Sequence, residues 1–416
     1  MIDRSAAEST FAKEKDSFTP VSKESKAKER LDILDVFRGV AIILVFLYHC
    51  ENQLPKGVDQ MLRDPWSFLS AALVGRAELQ SLVQFLIFFP FRIGWCGVAV
   101  FFVVSGFCIH LTYCRPAQPD PFGFYVRRFF RIYPPYALAV IFFAVIFPVT
   151  RIPFSKLTYW GDFVTHLLLC HNMSELSVCA IVPAYWTIAV EAQLYLLFPL
   201  ILIFARRYSF ARTLVVLGII EFSLQTFGIF AFWFPGQFLP NWLRATPIFY
   251  WFSWTTGAAI ADAYLTGKPL PFKQIHPALW LVLGVIAELF PFEPFSFPFF
   301  ALFTASLISR GLSGESKGEK DSRLVRFIRL TGVYSYSIYL IHDPLLLWIV
   351  GVYKNHFPDL ENQPFLIFAA ALSSWILVFP LGALMYYMVE KPSISWGKRL
   401  LRAWSQRAAP QVGVPV

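Results

Sequence analysis

The chain has 416 residues, of which 56% are hydrophobic and only 15% charged. A soluble domain carries roughly 25% charged residues, so this composition excludes a molecule covered by water on all sides. The net charge of +9 would suit nucleic acid in a soluble protein, but no basic, aromatic-interleaved soluble module accompanies it.

The N-terminal 30 residues are polar, with seven basic and six acidic side chains. They are expected to form a disordered cytoplasmic tail. The charged stretch is too long for a cleavable signal peptide. Beyond it, long continuous apolar runs predict transmembrane helices, not the alternation of a barrel strand. Ten spans are read at about 33–50, 94–113, 133–150, 184–205, 212–232, 244–264, 275–290, 295–310, 332–352 and 366–389. The segment 66–91 is apolar but interrupted by Arg76, Glu78, Gln80 and Gln84. It is expected to lie at the interface or re-enter the membrane. Residues 393–416 follow as a second cytoplasmic tail. The fold class is therefore an all-α integral membrane bundle.

Alternating ten spans from a cytoplasmic N-terminus places 27 of the 36 Lys and Arg residues on the cytoplasmic side and 8 opposite, with Arg38 inside the first span. Such a bias supports both termini inside. The six cysteines contain no CxxC pair, so zinc-site spacing is lacking. Cys170 and Cys179 flank a short loop and could pair if that loop is extracytoplasmic. Asn172-Met173-Ser174 matches a glycosylation sequon, although one chance match is expected.

Several spans carry side chains that cost roughly 2.5–3.5 kcal/mol each to insert. In the first, Asp35 and Arg38 are three apart and can neutralise each other. Arg38 and His49 are eleven apart, three turns plus about 20°, so they share one face about 16 Å apart. A snorkelling arginine and an interfacial histidine would account for each alone. In the fourth, Thr187, Glu191 and Tyr195 form one polar line at i, i+4 and i+8, next to Trp186. In the ninth, Ser335, Tyr339 and His342 share a face, with Asp343 beside them. The second span contains Gly94, Gly97, Ser105 and Gly106. Its glycines suit close helix packing, and Ser105 suits either packing or substrate contact. His110 reads as an interfacial histidine. Arg127, Arg128 and Arg131 precede Pro134 and Pro135. They serve the charge asymmetry, or phosphate, which arginine grips with two parallel hydrogen bonds.

These segments in order resemble the acyltransferase type 3 family of membrane acyltransferases. Leu34-Asp35-Val36-Phe37-Arg38-Gly39 resembles the family's LDGLRG entry, and Arg38 to His49 its R-x10-H spacing. Gly97-Val98 with Phe101-Phe102-Val103-Val104-Ser105-Gly106-Phe107 is similar to GV-x-x-FFVLSGF. Arg127, Arg128, Arg131 and Pro134 resemble RR-x-x-R-I-x-P. Trp186 to Glu191 with Tyr195 and Pro199 resembles W-S-L-x-x-E-x-x-x-Y-x-x-x-P. Ser335 to His342 resembles SYSLYLIH, and Glu390-Lys391-Pro392 a terminal E-R-P. The resemblance covers about residues 31–392. It departs at Val36, where the family has glycine, and at Ala99, where it has aspartate.

The resemblance implies an O-acyltransferase moving an acyl group, acetyl from acetyl-CoA, onto a hydroxyl of an envelope or exported glycan in a bacterial inner membrane, without a metal. It implies that Arg127, Arg128 and Arg131 hold the donor's phosphates. His49 would act as general base or carry the acyl group covalently. Glu191 would orient the imidazole or bind the acceptor, and Arg38 would pair with Asp35 and a phosphate. Ser105, Trp186, Tyr195, Tyr339 and His342 would support the site. A transporter would also place Arg, His and Glu inside helices, but in two matched halves of broken helices. No such internal repeat is evident.

Overall fold

The computed structural model describes residues 20–114, 120–147, 157–233, 239–313 and 322–408. Residues 1–19 of the expected tail, the end of the third predicted span at 148–150 and the last residues, 409–416, lie outside them. Among the described residues there are helices and no strands. The longer helices are α1 (Pro20–Glu51), α2 (Lys56–Arg63), α3 (Pro65–Leu73), α4 (Leu79–Arg92), α5 (Gly97–Cys114), α6 (Pro121–Ile141), α7 (Leu157–Leu167), α8 (Trp186–Tyr208) and α9 (Phe210–Trp233). They continue with α10 (Trp251–Thr266), α11 (Pro277–Leu289), α12 (Glu293–Leu312), α13 (Arg323–Val333), α14 (Ser335–His356), α15 (Pro364–Ser373), α16 (Trp375–Met385) and α17 (Lys391–Ala408).

Eight stretches among the described residues are long and apolar enough to cross a membrane. With α10 and α11, which are shorter, they fall on the ten predicted spans. The segment 66–91 becomes two helices. Arg76 and Glu78 lie in the break between α3 and α4, and α4 runs on through a tight turn at Ile93–Cys96 into α5. The polar stretch 20–31 continues as helix into α1.

One boundary matters for function. The third span was expected to start at Tyr133, before two prolines. Helix α6 instead begins twelve residues earlier. Asp120 caps it, accepting from the Gly123 amide at 2.8 Å, and Pro121 sits in the first turn, where its missing N–H costs nothing. Arg127, Arg128 and Arg131 therefore ride on the helix, which fixes their directions. At the other end, the C-terminal tail forms α17. Gly397 lets it lie against Phe130, and Ser393 donates to the Phe130 carbonyl at 2.5 Å. Trp396 and Trp404 stay exposed beside Lys398, Arg399 and Arg402.

The core is a helix-on-helix assembly in which α1, α5 and α10 are central. Helices α5 and α10 touch backbone to backbone. A Cβ on Gly106 would stand 2.0 Å from the Trp254 carbonyl oxygen, and one on Gly257 1.9 Å from that of Val103. Glycine is needed on both faces of this contact, as in other close helix pairs in lipid.

Candidate active site

Helix α1 carries Arg38 and His49 on one face, and each opens onto a different chamber. The arginine chamber, about 90 Å³, is lined by Arg38, Arg128 and Arg131 together with Ser105, Glu191 and Tyr195. The histidine chamber, about 980 Å³, is lined by His49 and Asp343 with Trp95, Trp186 and Tyr250 among others. Val98, Thr187 and Tyr339 line both and form the wall between them.

In the arginine chamber, Arg38 donates to Asp35 Oδ1 at 2.8 Å and to Cys108 Sγ at 3.1 Å. Arg128 lies over the Phe124 ring, 5.7 Å from its centroid, and its buried Nε has no hydrogen-bond partner among the described residues. A buried guanidinium with a donor left over fits an anionic ligand at this site. Arg131 lines the same space. Arg127 does not: its Nε is likewise buried without a partner, but its guanidinium turns to Asp120 at 3.4 Å, outside the chamber lining. Of the three arginines expected to act together, the helix brings only Arg128 and Arg131 into the chamber, because positions 127 and 128 point about 100° apart.

Glu191 accepts a hydrogen bond from Ser105 at 2.7 Å and another from Tyr195 one turn along its own helix. Trp254 donates to Ser105 at 3.3 Å. This carboxylate is committed to the arginine chamber. The expectation that it orients the His49 imidazole is not met, because the two residues line different spaces.

The carboxylate at His49 is Asp343. Its Oδ1 lies 3.2 Å from His49 Nδ1, and its side chain is 4% exposed. His342 sits behind this pair, wholly buried, with its ring 4.9 Å from that of His49 and Nδ1 2.8 Å from the Tyr339 carbonyl. It lines neither chamber. The sequence offered two signals for Asp343: a carboxylate inside an apolar span, and its place four residues from Tyr339 on the same face. The histidine beside it drew attention first.

Arg92, another residue the sequence reading left aside, lines the histidine chamber and lies over the Tyr48 ring at 5.4 Å. His110 is not interfacial. It is 1% exposed, with Nε2 3.5 Å from Asp262. All six cysteines are free, Cys170 and Cys179 included. Among the described residues no group of three or more His, Cys, Asp or Glu side chains gathers to hold a metal.

The profile of an acyltransferase domain, Acyl_transf_3, matches residues 31–400. The chain belongs to this acyltransferase family. It is 25% identical over 197 residues to the Regulator of hypoxia-inducible factor 1 of Caenorhabditis elegans, covering 43% of this chain and 35% of that protein. It is 32% identical over 140 residues to an uncharacterized protein of Haemophilus influenzae, covering 30% of this chain and 56% of the relative. The chain thus spans a third to just over half of the length of these relatives. No solved structure matches it.

The chain is thus a multi-pass membrane protein of this family. The family's ordered segments converge in space: Arg38, Ser105, Arg128, Arg131, Glu191 and Tyr339 line one chamber although they stem from five helices.

Proposed function

We propose that this acyltransferase uses acyl-CoA, with acetyl as the acyl group, and esterifies a hydroxyl of an envelope or exported carbohydrate. The observation that supports this reading most is the pair of chambers meeting at one wall, with cations on one side and a histidine–carboxylate pair on the other. Arg128, Arg131 and Arg38 would hold the donor's phosphates at the arginine end. A chamber of about 90 Å³ suits a narrow acyl-bearing arm and leaves the bulk of a nucleotide at its mouth. The excess of basic residues expected on the cytoplasmic side supports the same orientation, with this end inward.

At the other end, Asp343 fixes the ring of His49. With Nδ1 carrying the proton that faces Asp343, Nε2 keeps its lone pair and takes the proton of the acceptor hydroxyl. The hydroxyl oxygen then attacks the acyl carbonyl, the carbon–sulfur bond of the thioester breaks, and the imidazolium, stabilised by Asp343, gives its proton to the departing CoA thiolate. The histidine chamber, about 980 Å³, lies at the upper end of ligand-pocket volumes. Its aromatic faces, Tyr48, Trp95, Trp186 and Tyr250, stand beside the amides of Asn52, Gln53 and Asn241. Flat apolar platforms next to amide donors and acceptors suit a sugar ring.

The test is turnover of labelled acetyl-CoA by the purified protein with a glycan extract, beside His49→Ala. Label moved onto glycan by the wild type and lost in the variant supports the reading. Full transfer by the variant would remove His49 from the mechanism, and no donor binding at all would overturn the reading.

A further inference from the structure

Thr187 and Tyr339 are 6% and 7% exposed, yet they line both chambers. Their hydroxyls lie 2.6 Å apart, and Tyr339 also donates to the Ala184 carbonyl at 2.8 Å. Phe101 stands edge-on to the Tyr339 ring at 6.0 Å. The wall is therefore held shut mainly by the Tyr339 hydroxyl and its two oxygen partners.

The turn that carries Tyr339 is built differently from the rest of its helix. Pro344 has no N–H, so the Leu340 carbonyl loses its helical donor. Tyr185 supplies one from its side chain, 2.6 Å away. A helical turn bonded through a side chain can shift more readily than one bonded through its own backbone. The same helix carries Asp343, four residues beyond Tyr339, against His49.

We infer that Tyr339 is a gate between the chambers. Closed, it keeps the water of the histidine chamber from the contents of the arginine chamber. It opens when its hydroxyl leaves Thr187 and Ala184. Combined with the proposed reaction, on which this part rests, the gate admits the acyl carbonyl to His49 and otherwise protects it from hydrolysis. Tyr339 is then a positioning residue that decides whether donor is spent on acceptor or on water.

Two thiols report the gate without any donor. Cys179 lines the histidine chamber and Cys108 the arginine chamber. The full chain is reconstituted in sealed vesicles, and a charged, impermeant methanethiosulfonate is added on the face where the histidine chamber opens. Modified peptides are then mapped. In the wild type Cys179 reacts and Cys108 does not. In Tyr339→Phe, which keeps the ring and loses the hydroxyl bonds, Cys108 should react about tenfold faster, as expected for losing a net hydrogen bond. Tyr339→Ala should react faster still. From the opposite face, Cys108 should react in all three.

Cys108 reacting equally fast in wild type and both variants, or in none of them while Cys179 is labelled, overturns the gate. The second readout is CoA release from acyl-CoA without acceptor, set against transfer with acceptor. A gate defect raises the first and lowers the second, whereas a general folding defect lowers both together and would overturn the assignment. Labelling needs no donor, so opening of Cys108 in a protein that never turns over acyl-CoA would keep the gate and sink the proposed reaction. Turnover with a Cys108 that stays sealed in both variants would do the reverse.

Discussion

Replacing Asp343 by Asn tests the histidine site most directly, since it removes a charge with little change in volume. The His49–Asp343 contact is 3.2 Å long and the Asp343 side chain is 4% exposed. A hydrogen bond to a charged group contributes about 1.5–3 kcal/mol. At 1.36 kcal/mol per decade that is roughly a 10- to 150-fold fall in rate. A length of 3.2 Å is long for a charge-assisted bond, so the lower part of that range is expected unless the contact tightens when the acceptor binds. The loss should fall on kcat, because Asp343 stands away from the chamber assigned to the donor, and KM for acyl-CoA should hardly change. Glu191→Gln is the companion variant, since Glu191 lines the arginine chamber. Steady-state transfer of labelled acetyl at saturating acceptor measures both. Asp343→Asn within threefold of wild type, with Glu191→Gln more damaging to kcat, would refute the pairing of His49 with Asp343.

Other consequences can be checked separately. Arg128→Ala should raise KM for acyl-CoA by roughly tenfold or more, the worth of a charge-assisted bond. Arg127→Ala should leave it near wild type, because Arg127 faces Asp120 outside the chamber; calorimetric titration with CoA would show the contrast. Gly106→Ala or Gly257→Ala should each destabilise by about 1–3 kcal/mol or more through overpacking, visible as lower yield and an earlier thermal transition in detergent. His166 and His171, outside the membrane spans, are stacked at 3.9 Å and fully buried. Burial pushes His166 down to about 4, and burial together with His166 pushes His171 down to about 2. Below their ordinary value of 6.5 the unfolded chain binds protons that the folded one refuses, so stability is full above that pH and falls as pH drops below it. A thermal transition that moves down between pH 6.5 and 4, and moves less in His171→Gln, would bear this out; an unchanged slope in the variant would not.

Apolar run length announced the membrane-crossing helices, because lipid leaves the backbone no other way to satisfy its hydrogen bonds, but not α2, α7, α13 or α17. Spacing along one helix was equally readable: the Glu191–Tyr195 bond joins residues four apart, and Asp35 meets Arg38 three apart. What escaped was of two kinds. The start of α6 depended on Asp120 and Pro121, a local cap that outweighed the prolines at 134 and 135. The wall and the His49 partner depended on contacts between distant helices. Thr187 and Tyr339 meet across 152 positions, and no periodicity reports that. Glu191 was the carboxylate expected at the imidazole, and only the packing of distant helices puts Asp343 there instead.

The eleven-residue interval between Arg38 and His49 amounts to a ruler. Both residues are rooted on one rod, so the spacing of their backbone positions along the axis, about 16 Å, is fixed, and only the side chains can adjust to the molecule that spans it. A donor with a shorter or longer reach would present its reactive carbon short of the histidine or past it, whatever its affinity. Adding one residue between the marks would swing His49 about 100° off its chamber, and adding four would restore its bearing to within about 40° while lengthening the scale by about 6 Å. Under the proposed roles of Arg38 and His49, donor choice would be written partly as a length, in a stretch of chain that need not touch the donor at all.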